Sequence, residues 1–242
     1  MNTSPTPSDA TEEAVLRDSK DSASRGRLGT IARELGKILS DRDPRRALAV
    51  YEVGIRRLGE TPNRVKARRD RAVLLARSSY PLRRLHRPSE AKRRLDAAFA
   101  VLTDTKDYPA DRIRLGSHVY AAVCALADHE AETGDPRRAL EMYEQLLDRV
   151  MATGPDALGD LRDTPKLSRI YGALAALYRR SGDPASADVM NARRVELWSS
   201  WQRKLPQNAF IRRQLEEAQS GAGPVPRPAF VTTGPRTAVP DM

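Results

Sequence analysis

Between Pro62 and Leu95 the chain carries twelve basic side chains, from Arg64 to Arg94, against only Asp70 and Glu90. That window equals the formal net charge of the whole protein, +10, so charges elsewhere cancel. A focused positive field attracts anionic partners and speeds their encounter. Arginine adds geometry, because its guanidinium can fork onto a carboxylate or a phosphate. Three readings fit the window: a solvated helical face, a surface for acidic or phosphorylated protein, and a nucleic-acid surface. Tyr80 is its one aromatic residue, so the interleaved stacking platform used for single strands is missing. No zinc-finger, homeodomain or RNA-recognition pattern is present either.

Groups suited to covalent or metal chemistry are sparse. The histidines are His86, His118 and His129. His129 is followed by Glu130, but no second histidine stands four residues on, as a helical zinc site requires. Cys124 lies in an apolar stretch with no activating histidine on its face, which predicts packing rather than nucleophilic work. Asp128, Glu130 and Glu132 fall on different helical faces and are expected in solvent. No glycine-rich phosphate loop, His-Arg-Asp catalytic loop or Asp-Phe-Gly metal site occurs. The expectation is a chain without catalytic residues, metal or cofactor.

The elements that position these side chains are announced by a repeat. Asp43-Pro-Arg-Arg-Ala-Leu-Ala-Val-Tyr-Glu52 returns, with two changes, as Asp135-Pro-Arg-Arg-Ala-Leu-Glu-Met-Tyr-Glu144. Asp183-Pro-Ala-Ser-Ala187 is a third copy and Arg87-Pro-Ser-Glu-Ala91 a weaker one. Pro44, Pro88, Pro136 and Pro184 are spaced by 44, 48 and 48 residues, each followed three positions later by alanine. Aspartate before a helix caps free N–H groups, and proline suits the first helical position. Gly134 and Gly182 precede two of the aspartates, where the preceding helix is expected to end in a left-handed residue. In the weaker copy Ser89 is the expected cap, and a looser turn follows from that.

Helical periodicity flanks every turn. Tyr171, Leu174, Ala175 and Tyr178 share a face before the last one. Val123, Leu126 and Ala127 do so before the third, and Ile31, Leu35 and Ile38 before the first. After the turns come Ala47, Tyr51 and Ile55, then Ala91, Leu95 and Ala98, then Ala139, Tyr143 and Leu146. An early alanine allows close helix approach, and the bulky residue after it fills the gap.

The pattern Tyr171, Leu174-Ala175, Tyr178, Gly182 and Ala187 resembles the tetratricopeptide repeat, a helix–turn–helix unit of roughly 34 residues. The longer period here implies extended helices or connections. Ser79–Leu85, Leu126–Gly134 and Leu197–Pro206 resemble the C-terminal repeat region of acidobacterial-type bacterial serine/threonine protein kinases, in which a kinase domain precedes the repeats. The resemblance implies an all-α, right-handed solenoid. It also implies a repeat region separated from, or never joined to, a kinase, because a chain of 242 residues starting at Met1 is expected to be too short for both parts.

In such repeats the first helix of each hairpin lines a concave groove. The groove-facing offsets before each anchoring alanine imply Val73, Ala76, Tyr80, Arg83 and Arg84 in the second copy. They imply Ala121, Cys124, Asp128, Ala131 and Glu132 in the third, and Arg169, Gly172, Ala176, Arg179 and Arg180 in the fourth. Tyr80, Arg83, Arg84, Arg169, Arg179 and Arg180 are therefore the candidate partner contacts. The Lys/Asn/Lys clamp that some members use for acidic C-termini is absent. The expected function is a non-catalytic protein-interaction scaffold for an extended or acidic peptide, linked by the resemblance to kinase signalling. The alternatives are nucleic-acid or polyanion binding through residues 62–95 and a separated regulatory module of a kinase.

The ends differ in composition. Residues 1–25 are polar and expected to be disordered, with a short helix possible over Glu12–Arg17. Residues 26–219 hold four hairpins and a closing helix over Asn208–Glu217, with Trp198 and Trp201 placed to seal that end. The Pro/Gly-rich segment 220–242 reads as a flexible tail. No window approaches the roughly 18 apolar residues that span a bilayer. Met1–Glu13 lacks the features of a secretory signal. With the single Cys124, these features lead to the expectation of a cytoplasmic protein.

Overall fold

Every regular element among the described residues is an α-helix. The computed structural model describes residues 22–60 and 64–221. In chain order these hold α1 (Ser22–Leu39), α2 (Pro44–Gly59), α3 (Val65–Arg84), α4 (Pro88–Asp104) and α5 (His118–Thr133). Then come α6 (Pro136–Met151), α7 (Thr164–Ser181), α8 (Pro184–Lys204) and α9 (Ala209–Gln219). The four repeat prolines open α2, α4, α6 and α8. Each of these helices packs against the one before it, forming four hairpins. Neighbouring hairpins meet through α2 and α3, α3 and α5, α4 and α5, and α6 and α7.

The turns work largely as their residues dictate. Asp43, Asp135 and Asp183 accept hydrogen bonds from the N–H groups of Arg46, Arg137 and Ser186 at 3.0, 2.9 and 3.0 Å. Gly182 ends α7 in the left-handed region (φ 83°), and the Asp183 N–H closes onto the Tyr178 carbonyl at 2.9 Å. The weaker copy departs from expectation. Ser89 lies inside the first turn of α4, and Arg87 occupies the cap position without a side-chain cap bond. His86 adopts φ 57°, and the Arg87 N–H reaches the Leu82 carbonyl at 2.9 Å. Histidine tolerates this conformation, so the turn closes as tightly as the one behind Gly182. Gly134 also departs, ending α5 at φ −119° rather than left-handed.

The anchoring residues Ala47, Ala91, Ala139 and Ala187 are all 0% exposed. Tyr51, Leu95 and Tyr143, four residues after the first three, are buried beside them, and one apolar core runs from Ala32 to Leu197. In α1 the buried face is Leu28, Ala32 and Gly36, whereas Ile31 and Ile38 of the expected stripe are 39% and 61% exposed. The reason lies in α2. The Tyr51 ring packs so close to Gly36 that an added Cβ would stand 2.4 Å from its Cζ. The bulky ring selects the small-residue face of α1 over the isoleucine face.

At the other end α9 packs against α8. Asn208 caps it through the Phe210 and Ile211 N–H groups. Ile211 and Ala218 cover Trp198 and Trp201, which are buried as expected. The indole N–H of Trp198 donates to Ser168 Oγ (2.8 Å) and that of Trp201 to the Ala157 carbonyl (3.0 Å). Helix α1 already starts at Ser22, inside the segment expected to be disordered. The Glu12–Arg17 helix and the tail beyond Gly221 lie outside the described residues. No described helix is long and apolar enough to cross a membrane.

Candidate functional site

The first helices of the four hairpins, α1, α3, α5 and α7, contribute to the wall of one cavity of about 390 Å³. Lys37 comes from the end of α1, and Ser40 and Asp41 from the turn after it. Helix α3 supplies Arg77, Tyr80, Arg83 and Arg84, and α5 supplies Tyr120, Cys124, Asp128 and Glu132. Lys166 and Arg169 come from α7, and Tyr51 of α2 closes the floor. Side chains four residues apart share a helical face, which is why Tyr80 and Arg84, and likewise Cys124, Asp128 and Glu132, converge here.

Asp128 is the hub of this wall. It is 5% exposed and accepts hydrogen bonds from the hydroxyls of Tyr80 (2.6 Å) and Tyr143 and from Arg169. Arg169 also donates to the Tyr80 hydroxyl at 3.0 Å. One carboxylate thus ties α3, α5, α6 and α7 together. Burial pushes the Tyr80 and Tyr143 phenols well above their ordinary range, so both remain donors. The Asp128 charge, followed by Tyr80, holds the Arg169 guanidinium firmly protonated.

The other two carboxylates of the wall are also paired. Arg83 forks onto Glu132, with Nε 2.6 Å from Oε2, and its side chain is 3% exposed. It stacks 4.7 Å from the Tyr80 ring centre. Arg84 meets Asp41 at 3.2 Å near the rim, and Lys166 meets Asp163 at 3.1 Å. Lys37 and Arg77 are different. Neither makes an ion pair among the described residues, and Arg77 Nε is buried without a hydrogen-bond partner.

Of the residues expected to touch a partner, Tyr80, Arg83, Arg84 and Arg169 therefore share one site. Arg83 and Arg169 do so with their forks already engaged by internal carboxylates. Arg179 and Arg180 stand apart from the cavity. Arg179 donates to the Gly221 carbonyl (3.1 Å) and Arg180 to the Ala131 carbonyl (2.8 Å). The expectation of solvated acids on separate faces of α5 fails: Asp128 and Glu130 are buried, and Asp128 and Glu132, four residues apart, share the cavity face. Three donors from neighbouring helices make the burial of Asp128 affordable.

The basic window changes character on folding. Asp41, Glu52, Asp96, Asp104, Asp107 and Glu132, all outside it in sequence, pair with Arg84, Arg94, Lys92, Arg68, Arg69 and Arg83. The concentrated linear charge is largely neutralised in space.

Cys124 is buried, and burial pushes its thiol up to about 11, so it stays protonated at neutral pH. His129 is buried too, and burial, aided by Arg83, holds it below its ordinary range. Among the described residues no group of three or more His, Cys, Asp or Glu side chains is arranged to hold a metal ion.

Lys37, Arg77, Tyr120 and Lys166 were not among the expected contacts. Arg77 follows the groove position Ala76 by one residue. Lys37 follows Gly36, the position of the first hairpin equivalent to Tyr80. A groove broad enough to admit each neighbouring helical position would have included both.

No protein-family model, curated protein or solved structure matches this chain.

Proposed function

We propose that this chain is a non-catalytic interaction scaffold whose tetratricopeptide-like hairpins stack into a right-handed solenoid and take an acidic protein segment on the concave side. The observation carrying this reading is the composition of the shared cavity. Its wall holds Lys37, Arg77, Arg83, Arg84, Lys166 and Arg169 against Asp41, Asp128 and Glu132, and each of those three acids already has a cationic partner. The site therefore keeps a positive excess, and low-dielectric walls focus that field. Stacked helical repeats present extended concave surfaces of this kind. The protonated, buried Cys124 and the fully engaged Asp128 suit a packed wall better than a reacting centre.

Nucleic acid is the weaker reading, because acids from elsewhere in the chain occupy six of the twelve cations of the window. A role beside a kinase rests on the resemblance of Ser79–Leu85, Leu126–Gly134 and Leu197–Pro206 alone. The test is fluorescence anisotropy with a labelled glutamate-rich decapeptide at low salt. Reversing Arg84 and Lys166 to glutamate should weaken binding by about tenfold or more. The same change at Arg45 and Arg46, outside the cavity, should leave it intact. No binding by the wild-type chain, or equal weakening by both double variants, would remove the reading.

A further inference from the structure

We propose that Lys37 and Arg77 form a subsite for a phosphate monoester within this cavity. The proposal deepens the scaffold reading and rests on it. After internal pairing, the wall retains two cations that no carboxylate answers, Lys37 and Arg77. Both border Tyr51. Lys37 and Arg77 line the cavity together with Tyr51, and Arg77 is close enough, after the Ser40 hydrogen bond, to lower the Tyr51 phenol against the effect of burial. A carboxylate carries one charge and would leave one of these two cations unanswered. A phosphate monoester carries about −1.5 to −2 at neutral pH and presents three acceptor oxygens. Its charge matches one lysine plus one arginine.

The two side chains also divide the work. Arginine offers a planar fork and lysine a mobile point charge. The volume, about 390 Å³, lies within the range of pockets that hold small ligands. It therefore leaves room for the group that bears the phosphate. That group is either a phosphorylated side chain of a bound segment or a small phosphate ester.

Calorimetry on the full chain tests this with phenyl phosphate, benzoate, phosphoserine and the pentapeptide Ala-Ala-phosphoserine-Ala-Ala. Phenyl phosphate should bind about tenfold or more tightly than benzoate. Lys37→Met and Arg77→Met should each weaken it by about tenfold. Lys37 is exposed, so its variant keeps the test sound should Arg77→Met fail to fold. A pentapeptide tighter than phosphoserine assigns the site to phosphorylated protein. The reverse order assigns it to a small ester. Phosphate no better than benzoate, or both variants binding phenyl phosphate like the wild type, overturns the proposal. If the glutamate-rich decapeptide still binds in that case, the scaffold reading survives. If it does not, both fall.

Discussion

Replacing Asp128 by alanine removes the acceptor that joins four helices. Its carboxylate is 5% exposed as a residue and holds Arg169, Tyr80 and Tyr143. Stripping one partner from a buried ion pair costs about 3–5 kcal/mol. The Arg169 side chain is 34% exposed, so water recovers part of its solvation and the low end of that range applies. The Tyr143 hydroxyl, which is fully enclosed, loses its acceptor, adding about 1 kcal/mol. Because the terms overlap, the expected loss is about 3–4 kcal/mol, or about 6–16 °C in Tm for a domain of this size. Asp128→Asn keeps an acceptor oxygen and should cost about half as much. Urea unfolding followed by circular dichroism measures both variants. In an Arg169→Met background the cost of Asp128→Ala should shrink, because the orphaned guanidinium is gone. A loss below about 1 kcal/mol for Asp128→Ala, or full additivity with Arg169→Met, would refute the hub.

Other perturbations reach the turns and the core. Asp183→Ala should cost about 1 kcal/mol by removing the cap on α8, read as a lower urea midpoint. Ala139→Leu, at a site with 0% exposure, should overpack the third hairpin and cost about 1–3 kcal/mol, seen in the thermal melt. His129 supplies a pH effect. Its folded pKa lies below its ordinary value of 6.5, so the unfolded chain takes up the proton first. Stability is therefore complete above about pH 7 and falls as pH drops through 6.5, by at most about 1.4 kcal/mol per pH unit. His129→Gln should flatten that slope, and an unchanged slope would exclude His129 as its source.

The hairpins were legible in the sequence because their signals are local. An aspartate cap, a first-turn proline and an anchoring alanine act within a few residues, and the structure places all four prolines at helix starts. The face of α1 was not legible, because it is chosen by Tyr51 on another helix and not by α1's own periodicity. The turn at His86 was misread for a related reason: the left-handed position was expected of glycine, and histidine fills it. Periodicity alone put Asp128 in solvent, since its burial depends on Tyr80, Tyr143 and Arg169, whose convergence is a property of the stack. The basic window likewise looked unopposed because five of its outside carboxylate partners are distant in sequence, and the sixth, Asp96, lies just beyond its end.

A photoreactive version of the glutamate-rich decapeptide, cross-linked to the full chain and mapped by mass spectrometry, tests the central claim most directly. Adducts should fall on the cavity-facing residues of α1, α3, α5 and α7, among them Lys37, Tyr80, Ala121 and Lys166. Adducts concentrated instead on the second helices of the hairpins, such as the exposed Val189 of α8, would contradict it.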